Sequence, residues 1–371
     1  MRIGILLPGF SANEDDWAIP VQQHLVQKLA ARHDVRVIAL RYPHQKQAYQ
    51  LGNTTIYPLG FGAQARGLRR LQLWQRAFRL IRRLHHEKPF DILHAMWADE
   101  TGLVTAWSGR WLGIKTVVSI AGGELAYLPD IDYGLQLSTF SHWTVGQALK
   151  GATAITLGCC YMQKRLQACS YDIPKEKVYI LPQGVDTAIF HPDGTAYEPN
   201  RLIHVASLVP VKAQHILLDA IAQLPQVQLD IIGDGARREE LETLAQQLNI
   251  NNRVYFLGKV HHLNLPHYYR RAALHILTSL HEGQGMVSLE AAACGTPTIS
   301  TNVGIVPDDR DLGISVPIND SRALAKAIQQ LLNNPTELEA QRQKACDAVK
   351  KRYTLSQTVE QLEHLYQKIM V

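Results

Sequence analysis

The sequence predicts an α/β chain folded as two doubly wound, parallel-sheet domains, and three observations carry that prediction. The chain has 371 residues, too many for one typical core and enough for two domains of about 150–200 residues each. Short apolar, β-branched runs alternate with helical stretches, the β-α-β rhythm of a parallel sheet. That rhythm pauses once, at residues 191–200 (HPDGTAYEPN), a cluster of turn formers that reads as a linker.

Taken in order, Met1-Arg-Ile-Gly-Ile-Leu-Leu-Pro opens the first domain with a strand over residues 3–7. Further strands are expected at 35–40, 91–95, 116–120, 153–157 and 178–181, with helices such as 21–31 between them. After the pause, strands are expected at 202–206, 227–232, 253–256, 274–277, 298–300 and 313–316. Helical stretches at 321–333 and 335–352 lead to a last one at 355–370. The expected organisation is therefore a first domain over residues 1–190, a second over 191–352, and a terminal helical segment over 353–371.

Composition narrows the class. Hydrophobic residues make up 46% of the chain and charged residues 19%, which excludes a disordered or fibrous protein. No apolar run approaches the ~18 residues of a membrane span. A signal peptide would need a longer apolar region and a small-residue cleavage site, so nothing in the first residues directs export. The five cysteines are odd in number, with Cys159 and Cys160 adjacent and no paired C-x-x-C spacing. They suit neither a disulfide framework nor a structural zinc site, and they point to the reducing cytoplasm.

The net charge of +5 is uneven: the first 190 residues carry 21 Lys+Arg against 14 Asp+Glu, the remainder 17 against 19. Residues 66–88 hold seven arginines and Lys88, with Leu71, Trp74, Phe78 and Ile81 recurring at helical spacing. Such a basic amphipathic helix has two readings. Its apolar stripe packs on its own sheet and the arginines form a solvated face, or it lies peripherally on the anionic inner face of a membrane, where each basic residue contributes about 1 kcal/mol. Nucleic acid is not expected as a partner, because no recognition module accompanies the charge.

The most informative run is HEGQGMVSLEAAACGTPTISTNVG, from His281 to Gly304. Gly283 and Gly285 allow positive φ and a close approach of backbone to a ligand, and the helix formers after them start a helix near Gly285. The first amides of that helix, Gly285, Met286, Val287 and Ser288, have no intrahelical acceptor, and the helix dipole there favours an anion such as a diphosphate. The residues from Gly285 to Glu290 would rise about 7–8 Å, so Glu282 in the turn and Glu290 on the helix can meet different parts of one elongated ligand. Ordinary surface acids beside a glycine cap would explain a single glutamate pair equally well; the whole run favours a ligand.

This run resembles the signature of the retaining glycosyltransferases of family 4, E-G-x-G-x-x-x-x-E-A followed by G-x-P. Further segments resemble that family in the same order: Gln183-Gly-Val-Asp186 with Phe190, Val205-Ala-Ser-Leu-Val-Pro-Val-Lys212, Ile232-Gly-Asp-Gly235 and Arg253-Val-Tyr-Phe-Leu-Gly258. The resemblance implies a GT-B fold, two Rossmann-like domains facing across a cleft, with the last helix crossing back to the first domain. It implies transfer of a hexosyl-type sugar from a nucleoside-diphosphate sugar to a hydroxyl acceptor, a glycan or a lipid-linked one, with retention at the anomeric carbon. Such chemistry belongs to polysaccharide or glycolipid biosynthesis and implies neither metal nor cofactor. By resemblance Glu282 contacts the donor sugar, Glu290 holds the ribose and Lys212 binds the diphosphate. Around them Ser207, Gly233 and Gly235 join the donor site, and Lys259 and Val260 offer main-chain contacts to the base. Ser207 stands where the family commonly has an arginine, and Arg237 is a candidate replacement.

The first domain departs further from the pattern. Pro8-Gly9-Phe10-Ser11 offers one glycine, Gly9, where the family often has a glycine-rich loop. Asp91-Ile-Leu-His94-Ala-Met96 resembles a D-x-x-H-x-H segment, making His94 an acceptor-side candidate, although a histidine on an apolar strand is more often structural. Ala121-Gly-Gly-Glu124 follows a strand where many relatives place a histidine, so Gly122, Gly123 and Glu124 are the candidates facing the reacting sugar.

Two other chemistries use similar residues. Asp130-Ile-Asp132 is formally a metal-binding D-x-D but stands in a proline-containing loop. A retaining glycosidase needs two carboxyls about 5–5.5 Å apart, and one turn-helix element suits binding along a ligand better. The same residues would also serve a non-catalytic partner that binds sugar nucleotides, or an epimerase of the same fold.

Overall fold

The computed structural model of the chain describes residues 1–14, 16, 18–45, 47–62 and 67–371. These form two compact units, one of Met1–Gly158, Met162–Leu181 and Thr358–Val371, the other of Cys159–Tyr161 and Pro182–Gln357.

In the first unit, strands β1 (Arg2–Gly9), β2 (Asp34–Tyr42), β3 (Tyr49–Leu51), β4 (Thr54–Pro58), β5 (Ile92–Met96), β6 (Lys115–Ile120), β7 (Ala154–Leu157) and β8 (Val178–Ile180) make one sheet. Its order is β3-β4-β2-β1-β5-β6-β7-β8, parallel except for the β3–β4 pair. Helices α1 (Pro20–Ala30), α2 (Leu68–Glu87), α3 (Glu100–Leu112), α4 (Thr139–Gly151) and α5 (Cys160–Ala168) link the strands. Because a parallel strand is covered on both faces, β1 and β5 are buried almost throughout, which is why Ile3, Ile5, Leu6 and Leu7 occur as an unbroken apolar run. Asp99 caps α3 by accepting from the Thr101 amide at 3.0 Å, and Gly113, at φ 70°, ends it.

Two elements depart from the sequence-based expectation. Strands β3 and β4 were not among the expected strands; they form a hairpin across Gly52 and Asn53, with Gly52 at φ 54°. The β-branched run Thr54, Thr55, Ile56 after that turn pair was the signal for it. In α2 the buried face is Leu73, Trp74, Ala77, Ile81 and Leu84, while Leu71 is exposed and Phe78 only half-buried. The stripe is thus rotated from the expected one, taking in Leu73, Ala77 and Leu84 in place of Leu71 and Phe78. Arg66 lies outside the described residues.

The second unit has strands β9 (Glu198–Val205), β10 (Gln228–Ile232), β11 (Val254–Gly258), β12 (Ala272–Leu277), β13 (Thr298–Thr301) and β14 (Gly313–Val316), all parallel, in the order β11-β10-β9-β12-β13-β14. Helices α6 (Gln214–Ala222), α7 (Arg238–Gln247), α8 (Leu265–Arg271), α9 (Met286–Ala293), α10 (Ser321–Leu332) and α11 (Pro335–Arg352) accompany them. Leu202, Leu217, Ile221, Leu229, Leu274 and Ile276 centre its core. The turn-rich residues 191–200 lie inside this unit, where Arg270 on α8 binds the His191 carbonyl at 2.7 Å and Asp193 at 2.6 Å. Helix α12 (Leu355–Met370) follows α11, and from Thr358 onward the chain belongs to the first unit. There its Glu363 accepts from the His33 ring at 2.8 Å.

Candidate functional site

In the second unit the chain winds outward from β9 through β10 to β11 on one side and from β12 through β13 to β14 on the other. The order reverses between β9 and β12, and in open α/β sheets ligands bind outside the carboxyl ends of the strands at such a point. The turn after β9 ends in a short 3-10 turn, Pro210–Lys212, and the turn after β12 carries Glu282. The two turns are stapled together. The Leu280 amide donates to the Val211 carbonyl at 2.8 Å and the Thr278 hydroxyl to the Lys212 carbonyl at 2.8 Å, while the Thr301 hydroxyl at the end of β13 steadies the second turn by donating to the Ser279 carbonyl at 2.6 Å.

The staples bring Lys212 Nζ to 2.5 Å from Glu282 Oε1, which also accepts from the Ser279 hydroxyl at 2.6 Å. Burial alone would raise the Glu282 carboxyl, but the Lys212 ammonium and the hydrogen bonds from Lys212 and Ser279 outweigh it and hold it below the usual carboxylate range. Neither charge is sealed: the Lys212 side chain is 22% exposed and that of Glu282 11%. A cation and an anion paired at a strand terminus, with solvent still reaching both, suit a ligand that carries complementary groups of both kinds.

Gly285 sits at φ 87° and α9 begins at Met286. Among the described residues the amides of Gly285, Met286 and Val287 meet no carbonyl acceptor, whereas the Ser288 amide donates back to the Gly285 carbonyl at 3.0 Å. Ser288 therefore drops out of the expected set of open amides, because the first turn of the helix is tightened onto itself. Gln284, which the sequence reading passed over, anchors the turn: its side chain accepts from the Gln183 amide at 2.8 Å and donates to the Gln183 carbonyl at 2.7 Å. Gly304 lies so close beneath that a Cβ there would be 2.6 Å from the Gln284 carbonyl oxygen. A polar residue between two glycines was the signal available for Gln284.

Glu290 lies deeper than its counterpart Glu282. Its side chain is 3% exposed, with one oxygen 2.9 Å from His262 Nε2 and the other accepting from the Tyr269 hydroxyl at 3.2 Å. Two of its four or so lone-pair sites are thus used, and the remaining ones are available to hydroxyl donors. Neither His262 nor Tyr269 was singled out from the sequence.

The remaining donor-side candidates surround the same strand ends. A Cβ on Gly233, at φ 135°, would stand 1.9 Å from the Ala206 carbonyl oxygen, and one on Gly235 would stand 2.4 Å from that of Leu208. These two glycines serve first to let the turns after β9 and β10 touch, and the Gly233 amide is taken up by the Gly258 carbonyl at 2.8 Å. Ser207 is exposed beside them, Lys259 is exposed and Val260 half-buried just past β11. Arg237, the candidate for the missing arginine, forks onto the exposed Glu240.

The first unit treats its candidates differently. Glu124 is fully buried and accepts from the amides of Ala98 at 3.1 Å, Ala121 at 3.1 Å and Gly122 at 2.6 Å. Burial raises its carboxyl despite those amides. It anchors its loop, and the Gly122 amide donates to it. Gly123 packs on Tyr133, whose hydroxyl would lie 3.0 Å from a Cβ at that position. His94 is also fully buried, with Nδ1 2.6 Å from the Tyr366 hydroxyl and Nε2 2.7 Å from that of Ser119, and burial holds its pKa down to about 3. An imidazole with both nitrogens engaged in mid-sheet has the surroundings of a structural histidine, the more common case for one on an apolar strand. Gly9 ends β1, where a Cβ would meet that of Tyr42 at 3.1 Å. Asp130 and Asp132 are exposed on and just after a 3-10 turn.

Comparison with known proteins gives the family and the fold. The family model of glycosyl transferases group 1 matches residues 186–348, and that of the glycosyl transferase 4-like domain matches residues 19–184. The chain is 26% identical over 299 residues to N-acetyl-alpha-D-glucosaminyl L-malate synthase of Bacillus anthracis, covering 76% of this chain and 75% of that protein. It spans only 44% and 49% of the length of two other curated relatives. Sucrose-phosphate synthase of Thermosynechococcus elongatus superposes with a TM-score of 0.83 at 20% identity, over 100% of this chain and 99% of that one. Anabaena HepE in complex with UDP-glucose superposes with a TM-score of 0.76 at 18% identity, over 99% and 100%. Sheet order, the stapled turns and both family models converge: the chain belongs to the group 1, family 4-like glycosyltransferases and has their GT-B fold of two Rossmann-like domains.

Proposed function

We propose that this glycosyltransferase moves a sugar from a nucleoside-diphosphate sugar to a hydroxyl acceptor, glycan or lipid-linked, with retention at the anomeric carbon and without a metal. The observation that carries the reading is the Lys212–Glu282 pair at the switch point of the second sheet, beside the open amides of Gly285, Met286 and Val287. A diphosphate suits those amides and the Lys212 ammonium, which stabilise it most as negative charge develops on the leaving group. On binding, the phosphate takes over part of the ammonium, and Glu282 is released to accept from sugar hydroxyls. Glu290, fixed by His262 and Tyr269, offers its remaining lone pairs to the ribose hydroxyls. HepE, similar in fold, was solved with UDP-glucose, which makes uridine diphosphate sugars the first donors to try.

The test is nucleotide release from a panel of sugar nucleotides by the purified chain, with binding followed in parallel by calorimetry. Lys212→Met should weaken donor binding about tenfold or more, in keeping with the loss of a charge-assisted contact. Binding without release in every acceptor mixture would leave a sugar-nucleotide-binding protein. Absence of binding by any sugar nucleotide would remove the proposal.

A further inference from the structure

We propose that α8, α9 and α11 of the second unit hold a binding site for a small phosphate monoester. The proposal stands on one cavity and does not depend on the donor chemistry. Arg270 of α8, Gly295 just past α9, and Arg342 and Lys350 of α11 line an open polar cavity of about 360 Å³, together with residues 192–195. Arg342 is its unusual member. The residue is only 9% exposed, yet among the described residues its one carboxylate within 4 Å is that of Glu339, 3.9 Å from Nε on a side chain that is 68% exposed. Nη1 donates to the Ala272 carbonyl at 3.0 Å, and the guanidinium stacks with Cζ 4.1 Å from the centre of the Tyr197 ring. Nη2 has no hydrogen-bond partner among the described residues and lies beside Gly295, 4.0 Å from where a Cβ would stand there. Burial lowers the pKa of this guanidinium against the pull of Glu339. A buried cation without a close counter-ion is costly, and an anion in the cavity supplies one.

The neighbours set the sign and size of the ligand. Arg270 spends Nε on the His191 carbonyl and Nη1 on Asp193, which leaves its Nη2 open. Asp193 is further occupied by the Thr195 amide at 3.0 Å. Lys350 is exposed and has no acidic partner among the described residues. Three cations thus face two acids, one already bonded and the other loosely held in water. The cations are not needed as helix caps, because the Glu290, Ala291 and Ala292 carbonyls in the last turn of α9 already accept from the amides of Cys294, Thr296 and Gly295. Two guanidinium forks and an ammonium around one cavity form the donor set of a phosphate. A cavity near the lower limit of about 300 Å³ for small-molecule sites takes that phosphate with a body of a few carbons.

Isothermal titration of the full chain at constant ionic strength should show one saturable site for glycerol phosphate, weaker binding of inorganic phosphate at the same site, and none of glycerol. Lys350→Gln, on an exposed side chain, should weaken glycerol phosphate about tenfold, the size of one lost charge-assisted contact. Glu339→Gln, which removes the loosely held acid, should tighten it severalfold. Arg342→Lys should abolish binding, and the two exposed variants carry the test if that protein does not fold. Lys212→Met should leave the affinity unchanged. Binding lost in Lys212→Met and intact in Lys350→Gln would put the phosphate at the glycine turn before α9 and overturn the proposal. Absence of saturable binding overturns it as well, and inorganic phosphate binding as tightly as the ester overturns the assignment to a monoester.

Discussion

Glu124 in the first unit and Glu282 in the second both follow a parallel strand in a doubly wound sheet, yet the two carboxylates have opposite fates. Glu124 collects three backbone amides in full burial and is raised by desolvation. Glu282 meets an ammonium and a hydroxyl, keeps some contact with water and is held below the usual range. The difference teaches that position at a strand end does not make an acid functional. What matters is whether the surrounding backbone has already used its lone pairs. The first carboxylate serves the loop that holds it; the second is left with capacity for a ligand.

The sharpest way to break that comparison is to remove each acid. Glu124→Ala strands three buried amides, each worth about 1–3 kcal/mol when unsatisfied, so a loss of about 3 kcal/mol or more and a fall in melting temperature of roughly 10 °C are expected. A melting curve unchanged from the parent would show that the loop does not lean on Glu124. Glu282→Gln should leave the melting temperature within a few degrees and lower transfer about 100-fold, the usual size of a lost electrostatic contact in a transition state. If instead transfer is untouched and stability drops, the two acids have the same role and the contrast disappears.

Acid sharpens the comparison at the level of whole units. His94 in the first unit and His204 and His275 in the second are buried and neutral, with burial lowering them to about 3, 4 and 3. As pH falls below the ordinary value of 6.5, the unfolded chain binds protons that the folded chain refuses until far lower pH. Stability is therefore complete above about pH 6.5 and lost on acidification, by up to about 1.4 kcal/mol per pH unit for each histidine. With two such histidines against one, the second unit should open first between pH 6.5 and 5, as read by hydrogen exchange; simultaneous opening of both would count against this account. The smallest effect is expected at Gly285→Ala. That residue is at φ 87° with no neighbour nearer than 3.4 Å to a Cβ, so about 1–2 kcal/mol of backbone strain should appear, together with weaker donor binding in calorimetry.

The turn and helix of the proposed donor side were legible in the sequence because their geometry is local. Gly285 and the helix after it follow from glycine freedom and helix propensity within a few residues, and Lys212 and Glu282 were named from motif pattern alone. What could not be read was depth. Glu290 is held by His262 and Tyr269, respectively 28 and 21 residues away, and Gln284 by Gln183, 101 residues away. The surroundings of the acceptor-side candidates could not be read for the same reason: Glu124 draws on an amide 26 residues distant and His94 on a hydroxyl 272 residues distant. On α2 the basic charge was visible, but which of its faces is buried was not.

By itself, then, the order of residues determined the β-α-β alternation, the glycine turn before α9 and the excess of arginine in residues 68–87, since periodicity, allowed φ and charge are properties of short stretches of chain. Tertiary structure alone decided which carboxylate stays open and which is consumed, and which side of α2 faces water. Those outcomes depend on hydrogen-bond partners and packed neighbours that arrive from distant segments, and a buried polar group takes whichever partners the fold delivers to it.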